Sequence, residues 1–119
     1  MDLSAKNLYM LFEKHKSTIN PFAAVCQCRH ETSYQGKPWN SELCRKAKNL
    51  AGLKKWPGWP GPVYAKPSWE QLHDGRKVGR VSNFCLYRSL SDFAMNYVSK
   101  IKRDYPRCTA SADNFWGYF

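Results

Sequence analysis

The stretch from Asn20 to Leu53, NPFAAVCQCRHETSYQGKPWNSELCRKAKNLAGL, decides how the chain is read. Asn20-Pro21 is a helix start: the Asn side chain caps free backbone N–H groups, and Pro at the first helical position forfeits no hydrogen bond. At helical spacing Phe22, Val25, Cys26 and Arg29 form one row and Ala24, Cys28 and Glu31 another. Gly36, Pro38 and Trp39 break the pattern, so the spacing predicts a helix over residues 20–34 with Glu31 in its last turns. A carboxylate there gains nothing from the helix dipole, which favours cations at that end. An exposed helical Glu is the ordinary reading of such a residue. A functional one has to come from the chain around it.

Working outward, 119 residues suit one domain with one core, and the 43% hydrophobic and 15% aromatic content is enough to fill it. Nineteen Lys and Arg against nine Asp and Glu leave a formal charge of +10, which favours a polyanionic partner: nucleic acid, an anionic membrane surface or the bacterial wall. No apolar run approaches the roughly 20 residues that span a bilayer, so membrane insertion is not expected. MDLSAKNLYMLFEKHK carries charges throughout and does not read as a signal peptide. Five cysteines (Cys26, Cys28, Cys44, Cys85, Cys108) fit no closed zinc pattern. Cys26, Cys28 and His30 alternate along a helix and point to different sides, so neither a metal nor another cofactor is expected. Reduced core thiols are the expectation.

Leu8, Leu11, Phe12 and His15 recur at helical spacing and predict a first helix. Ser41 can cap a short helix over 42–48. Trp56-Pro57-Gly58-Trp59-Pro60-Gly61-Pro62 cannot be helix or central strand, and holds two tryptophans that are either hydrophobic plugs or a binding platform. From Val63 to Phe84 the residues suit a β-hairpin turning at Asp74-Gly75, with Pro67 on an edge strand. Ser89 and Asp92 resemble a capping box before a helix with the apolar stripe Leu90, Phe93, Ala94, Tyr97, Val98 and Ile101. The aromatic tail, residues 108–119, is expected to pack down. The fold class is thus α+β, mainly α: a lysozyme-like helical core, a small β-hairpin lobe and a cleft between them.

These residues resemble glycoside hydrolase family 73, bacterial endo-β-N-acetylglucosaminidases that cut peptidoglycan. The resemblance runs in unbroken order through Ala23-Ala24-Val25, Glu31-Thr32-Ser33, Ser41 before Leu43, Asn49-Leu50-Ala51-Gly52-Leu53-Lys54, Ser68-Trp69-Glu70 and Phe84-Cys85-Leu86-Tyr87-Arg88-Ser89. It covers roughly residues 20 to 105. Departures are Ser33 for Gly, Lys48 for Asn, Ala51 for Phe, Leu86 for a basic residue, and an ending reduced to Gly117-Tyr118-Phe119.

The resemblance implies a single glucosaminidase domain over 1–119 with Glu31 as general acid. Glycosidic cleavage needs a carboxyl still protonated near neutrality; a free Glu titrates near about 4.3, and apolar burial raises this to about 6 in lysozyme. It matches Glu70 to a hairpin carboxylate that activates water, a role the substrate's own N-acetyl group could fill instead. Asn49 and Tyr87 match cleft-lining residues, and Tyr64, Trp56 and Trp59 join them as expected substrate contacts, aromatic faces suiting sugar rings. An inverting pair works at about 6.5–9.5 Å, so a wider separation that closes on a glycan strand is expected.

The expected partner is the peptidoglycan glycan strand, met by a monomer acting on the wall as a phage lysin, a virion enzyme or a delivered effector. Any immunity or delivery partner stays open. A muramidase or lytic transglycosylase is the rival within this fold. A small nucleic-acid-binding module is the rival outside it, suggested by Lys54, Lys55, Trp56 and Trp59. The basic residues are spread along the chain without a recognised motif, so no nucleic acid is expected.

Overall fold

The computed structural model describes residues 3–106, so the expectation for the tail lies outside the described residues. Helix α1 (Ala5–Glu13) starts at Ser4, whose Oγ accepts from Asn7 N at 3.1 Å. Helix α2 (Pro21–Thr32) starts as its sequence dictates, with Asn20 Oδ1 accepting from Ala23 N at 2.9 Å and Pro21 in the first turn. Helix α3 (Glu42–Ala47) is capped by Ser41, and α4 (Leu90–Asp104) by Ser89, whose Oγ accepts from Asp92 N. The caps identify four helix starts because each satisfies amide groups that helical geometry leaves bare. No described helix is long and apolar enough to cross a membrane.

Helix α2 ends two residues earlier than its spacing predicts. Thr32 Oγ1 turns back to Cys28 O at 2.8 Å and accepts from Trp39 N, while Thr32 O accepts from both Asn40 N and Ser41 N at 2.9 Å. Between them Gln35 and Gly36 both take positive φ, and Tyr34 and Lys37 pair across the turn. The chain thereby reverses at once and starts α3 against the end of α2.

Strands β1 (Val63–Gln71) and β2 (Lys77–Cys85) form one two-stranded antiparallel sheet in a register running from Val63↔Cys85 to Gln71↔Lys77. The loop is longer than a two-residue Asp-Gly turn. Leu72 O accepts from Gly75 N, Asp74 Oδ1 caps Arg76 N, and Gly75 supplies the positive φ that closes it.

The core lies among α1, α2 and α4, where Leu8, Phe12, Ile19, Ala23, Ala24, Cys28 and Phe93 are wholly buried. The expected α4 stripe is the buried face, with Ile101 at its margin. Phe22 points the other way and is exposed, so the two helical rows of α2 share the core unequally. Lys48 adopts a left-handed conformation at the end of α3 (φ +50°). That conformation suits Asn and Gly better than Lys.

Candidate active site

Glu31 sits one residue from the end of α2. Its side chain is exposed, and Oε1 accepts from Gln27 Nε2, one turn back, at 2.9 Å. The next residue is Thr32, whose carbonyl grips the start of α3, so Glu31 has a fixed backbone and an open carboxylate.

Glu70 is placed quite differently. It lies on the hairpin face that also carries Tyr64, Lys66 and Ser68, because side chains alternate along a strand. Its carboxylate is 55% exposed and pairs with Arg80 of β2, a diagonal neighbour across the ladder. It stands six residues beyond Tyr64, or about 20 Å along an extended strand.

Tyr64 marks where the hairpin meets the helices. It is half-buried, and its hydroxyl donates to Glu42 Oε2 on α3 at 2.9 Å. That hydrogen bond, followed by burial, pushes the phenol pKa up. Glu42 was not singled out by the sequence; as the first residue after a capping Ser it reads as a favourable charge at a helix start. Only the hairpin's alternation, placing Tyr64 on the Glu70 face, hints at its partner.

Asn49 is 1% exposed. Its Nδ2 donates to Leu53 O and Cys85 O, and its Oδ1 accepts from Leu53 N, all at 2.9 Å. Every polar group of its amide head is thus engaged by backbone. The structure gives it the job of pinning the 49–53 loop to the end of β2, and leaves no surface for a ligand.

Trp56, Trp59 and Tyr87 are brought together. Trp56 and Trp59 stack edge-on at 4.8 Å, Trp59 meets Tyr87 at 5.6 Å, and the chain of rings continues through Phe93 and Tyr97 to Phe12 in the core. Trp59 Nε1 donates to Pro62 O at 2.9 Å, and a side chain at Gly61 would collide with the Trp59 ring. The tryptophans are therefore half plug and half wall. They line a cavity of about 440 Å³ with Leu86, Tyr87, Arg88 and Asn96. A second cavity of about 370 Å³ shares Trp56 and Asn96 and is rimmed by Lys54, Lys100 and Arg103. The Tyr87 hydroxyl lies near Asn96 and Cys85 without completing a hydrogen bond, and burial pushes its pKa up. Neither cavity is lined by Glu31 or Glu70.

Three thiols are core. Burial pushes Cys28 up, with Cys44 and then Glu31 adding to it; burial raises Cys44 to about 11 and raises Cys85 as well. Cys26 is half-buried and His30 exposed.

No family profile matches the chain, and no curated protein matches it significantly. Solved structures do. The catalytic domain of the autolysin Auto from Listeria monocytogenes superposes with a TM-score of 0.71 at 18% identity, over 96% of this chain and 65% of that domain. A C-terminally truncated glycoside hydrolase domain of Salmonella typhimurium FlgJ gives 0.64 at 19% identity, over 94% of this chain and 80% of its own. A peptidoglycan hydrolase mutant from Sphingomonas sp. A1 gives 0.57 at 19%, over 96% and 81%. The fold is therefore the α+β, lysozyme-like one expected, and the chain spans about two-thirds of the Listeria domain.

Proposed function

We propose that the protein is a peptidoglycan hydrolase, cutting the β-1,4 bond between N-acetylglucosamine and N-acetylmuramic acid with Glu31 as general acid. The observation that carries this is a carboxylate one residue from the end of a core helix, in a fold whose solved neighbours are an autolysin, a glycoside hydrolase domain and a peptidoglycan hydrolase. The resembled motifs add Glu70, and the aromatic faces of Trp56 and Trp59 suit sugar rings.

Glu31 is open to water in this structure. A proton-donating carboxyl needs water excluded. The bound glycan supplies that cover as it docks, and Gln27 holds the carboxylate's orientation meanwhile. The +10 charge attracts the anionic wall.

A lytic transglycosylase reading is favoured by one observation: Glu70 is already paired with Arg80. A mechanism that uses one acid, with a hydroxyl of the substrate completing the reaction, needs no second free carboxylate. Mass spectrometry of muropeptides released from purified sacculi separates the readings. Reducing N-acetylglucosamine ends support the glucosaminidase. Reducing N-acetylmuramic acid or anhydro ends refute it in favour of the rival.

A further inference from the structure

We infer that Glu42 and Tyr64 form a latch that sets the angle of the hairpin over the Glu31 helix end, making Glu42 a positioning residue for glycan cleavage. This rests on the proposed reading of Glu31 as the acid and Glu70 as its partner.

One hydrogen bond brings Glu42 close to Glu31. Thr32 O, immediately after Glu31, accepts from Ser41 N, immediately before Glu42, at 2.9 Å. With adjacent Cα atoms 3.8 Å apart, the two glutamates' Cα atoms are held within about 13 Å. From Glu42 the Tyr64 hydrogen bond crosses to the inner face of β1, the face that carries Glu70. The remaining hydrogen bonds between hairpin and body among the described residues fall on backbone at its base: Lys55 N to Asn83 O, Cys85 N to Leu53 O, and Asn49 Nδ2 to Cys85 O. Those fix the position of β2's end. They leave the roll of β1 about that end to the side-chain contact at Tyr64.

The hairpin then works as a lever. Glu70 lies about 20 Å beyond the latch, so a tilt of about 10° at Tyr64 displaces it by about 3–4 Å. Misplacement of about 1 Å can cost about 10²-fold in rate. A half-exposed hydrogen bond that matters little to folding thus matters to turnover. Arg45 adds to the arrangement, since its Nε donates to Asn40 O and its charge lies close enough to act on Tyr64.

The test compares muropeptide release from purified sacculi by wild type, Tyr64→Phe, Glu42→Ala, Glu42→Gln and the Tyr64→Phe/Glu42→Ala pair. Melting temperature and hairpin amide exchange are measured alongside. Expected are losses of about 10²-fold in kcat for Tyr64→Phe and for Glu42→Ala, with little change in melting, and no further loss in the pair. Glu42→Gln, still an acceptor for the phenol, recovers most of the rate. Amides at 65–71 exchange faster in both single variants. Wild-type rate in Tyr64→Phe, fully additive losses, or no rescue by Gln overturns the latch. Should wild type release no muropeptides, the glycosidase reading fails by itself, and amide exchange still decides the latch: unchanged rates at 65–71 overturn it.

Discussion

Replacing Asn49 by Ala tests whether this residue holds the fold or meets the ligand. The side chain is 1% exposed and makes three hydrogen bonds of 2.9 Å to backbone. Each is worth about 1 kcal/mol net, and the buried Leu53 N–H left without an acceptor adds about 1–3 kcal/mol. The loss is therefore roughly 4–6 kcal/mol, against a total stability of about 5–15 kcal/mol for domains of this kind. For a chain of this length that lowers the melting temperature by roughly 16–24 °C. Asn49→Asp is the sharper probe. It keeps the acceptor for Leu53 N but points a carboxylate oxygen at two carbonyls, Leu53 O and Cys85 O. A buried charge with one amide donor and two facing carbonyls costs more than the truncation. Its folded pKa lies above the unfolded value near about 3.9, so stability is greatest below that value and falls as pH rises through the folded pKa. Urea unfolding followed by circular dichroism at neutral and acid pH measures both effects. If Asn49→Ala melts within about 2 °C of wild type while wall lysis collapses, the residue faces the substrate and this reasoning is wrong.

Glu31→Gln is expected to abolish muropeptide release with the melting curve unchanged, whereas Glu70→Gln costs less if the N-acetyl group can replace it; near-wild-type activity in both sinks the assignment of these sites. Trp59→Ala removes a ring packed on Trp56 and Tyr87, and is expected to cost about 2–3 kcal/mol as well as binding, read by melting and by sacculus pull-down. A pure platform would lose binding alone. Cys44 keeps its proton in the fold up to about 11 against 9.0 unfolded, so the fold is favoured below pH 9 and loses this contribution as pH rises from 9 to 11. Wild type should accordingly lose about 2 kcal/mol more than Cys44→Ala over that interval.

The helices were legible because each carries a local signal: a capping oxygen at Ser4, Asn20, Ser41 or Ser89, and an apolar stripe after it. The hairpin was legible from its alternation and Asp74-Gly75. What lay beyond reach was contact between distant residues. Asn49 sits in a run that resembles a substrate-lining motif, and nothing local shows that its amide reaches Cys85, 36 residues away. Glu70 matches a motif, yet its pairing with Arg80 depends on strand register, which the length of the turn decides. Trp69, 76% exposed beside it, lies over Gly79 and shows no sign in sequence of facing outward.

The two carboxylates differ in the stiffness of what carries them. Glu31 rides on a helix whose neighbours Cys28 and Thr32 are buried, and whose end is clasped by Thr32 to both Asn40 and Ser41. Glu70 rides on a two-stranded sheet, an element of marginal stability by itself, in rows where the side chains from Pro67 to Gln71 are exposed. Low contact density makes that part of the fold the first to open. Chemistry that needs a proton donor in one place and a water or N-acetyl group in a variable one suits this division. The donor must not move. On the proposed reading the second group would admit a glycan strand before closing, and the ion pair with Arg80 would give Glu70 a resting position from which a bound strand could draw it.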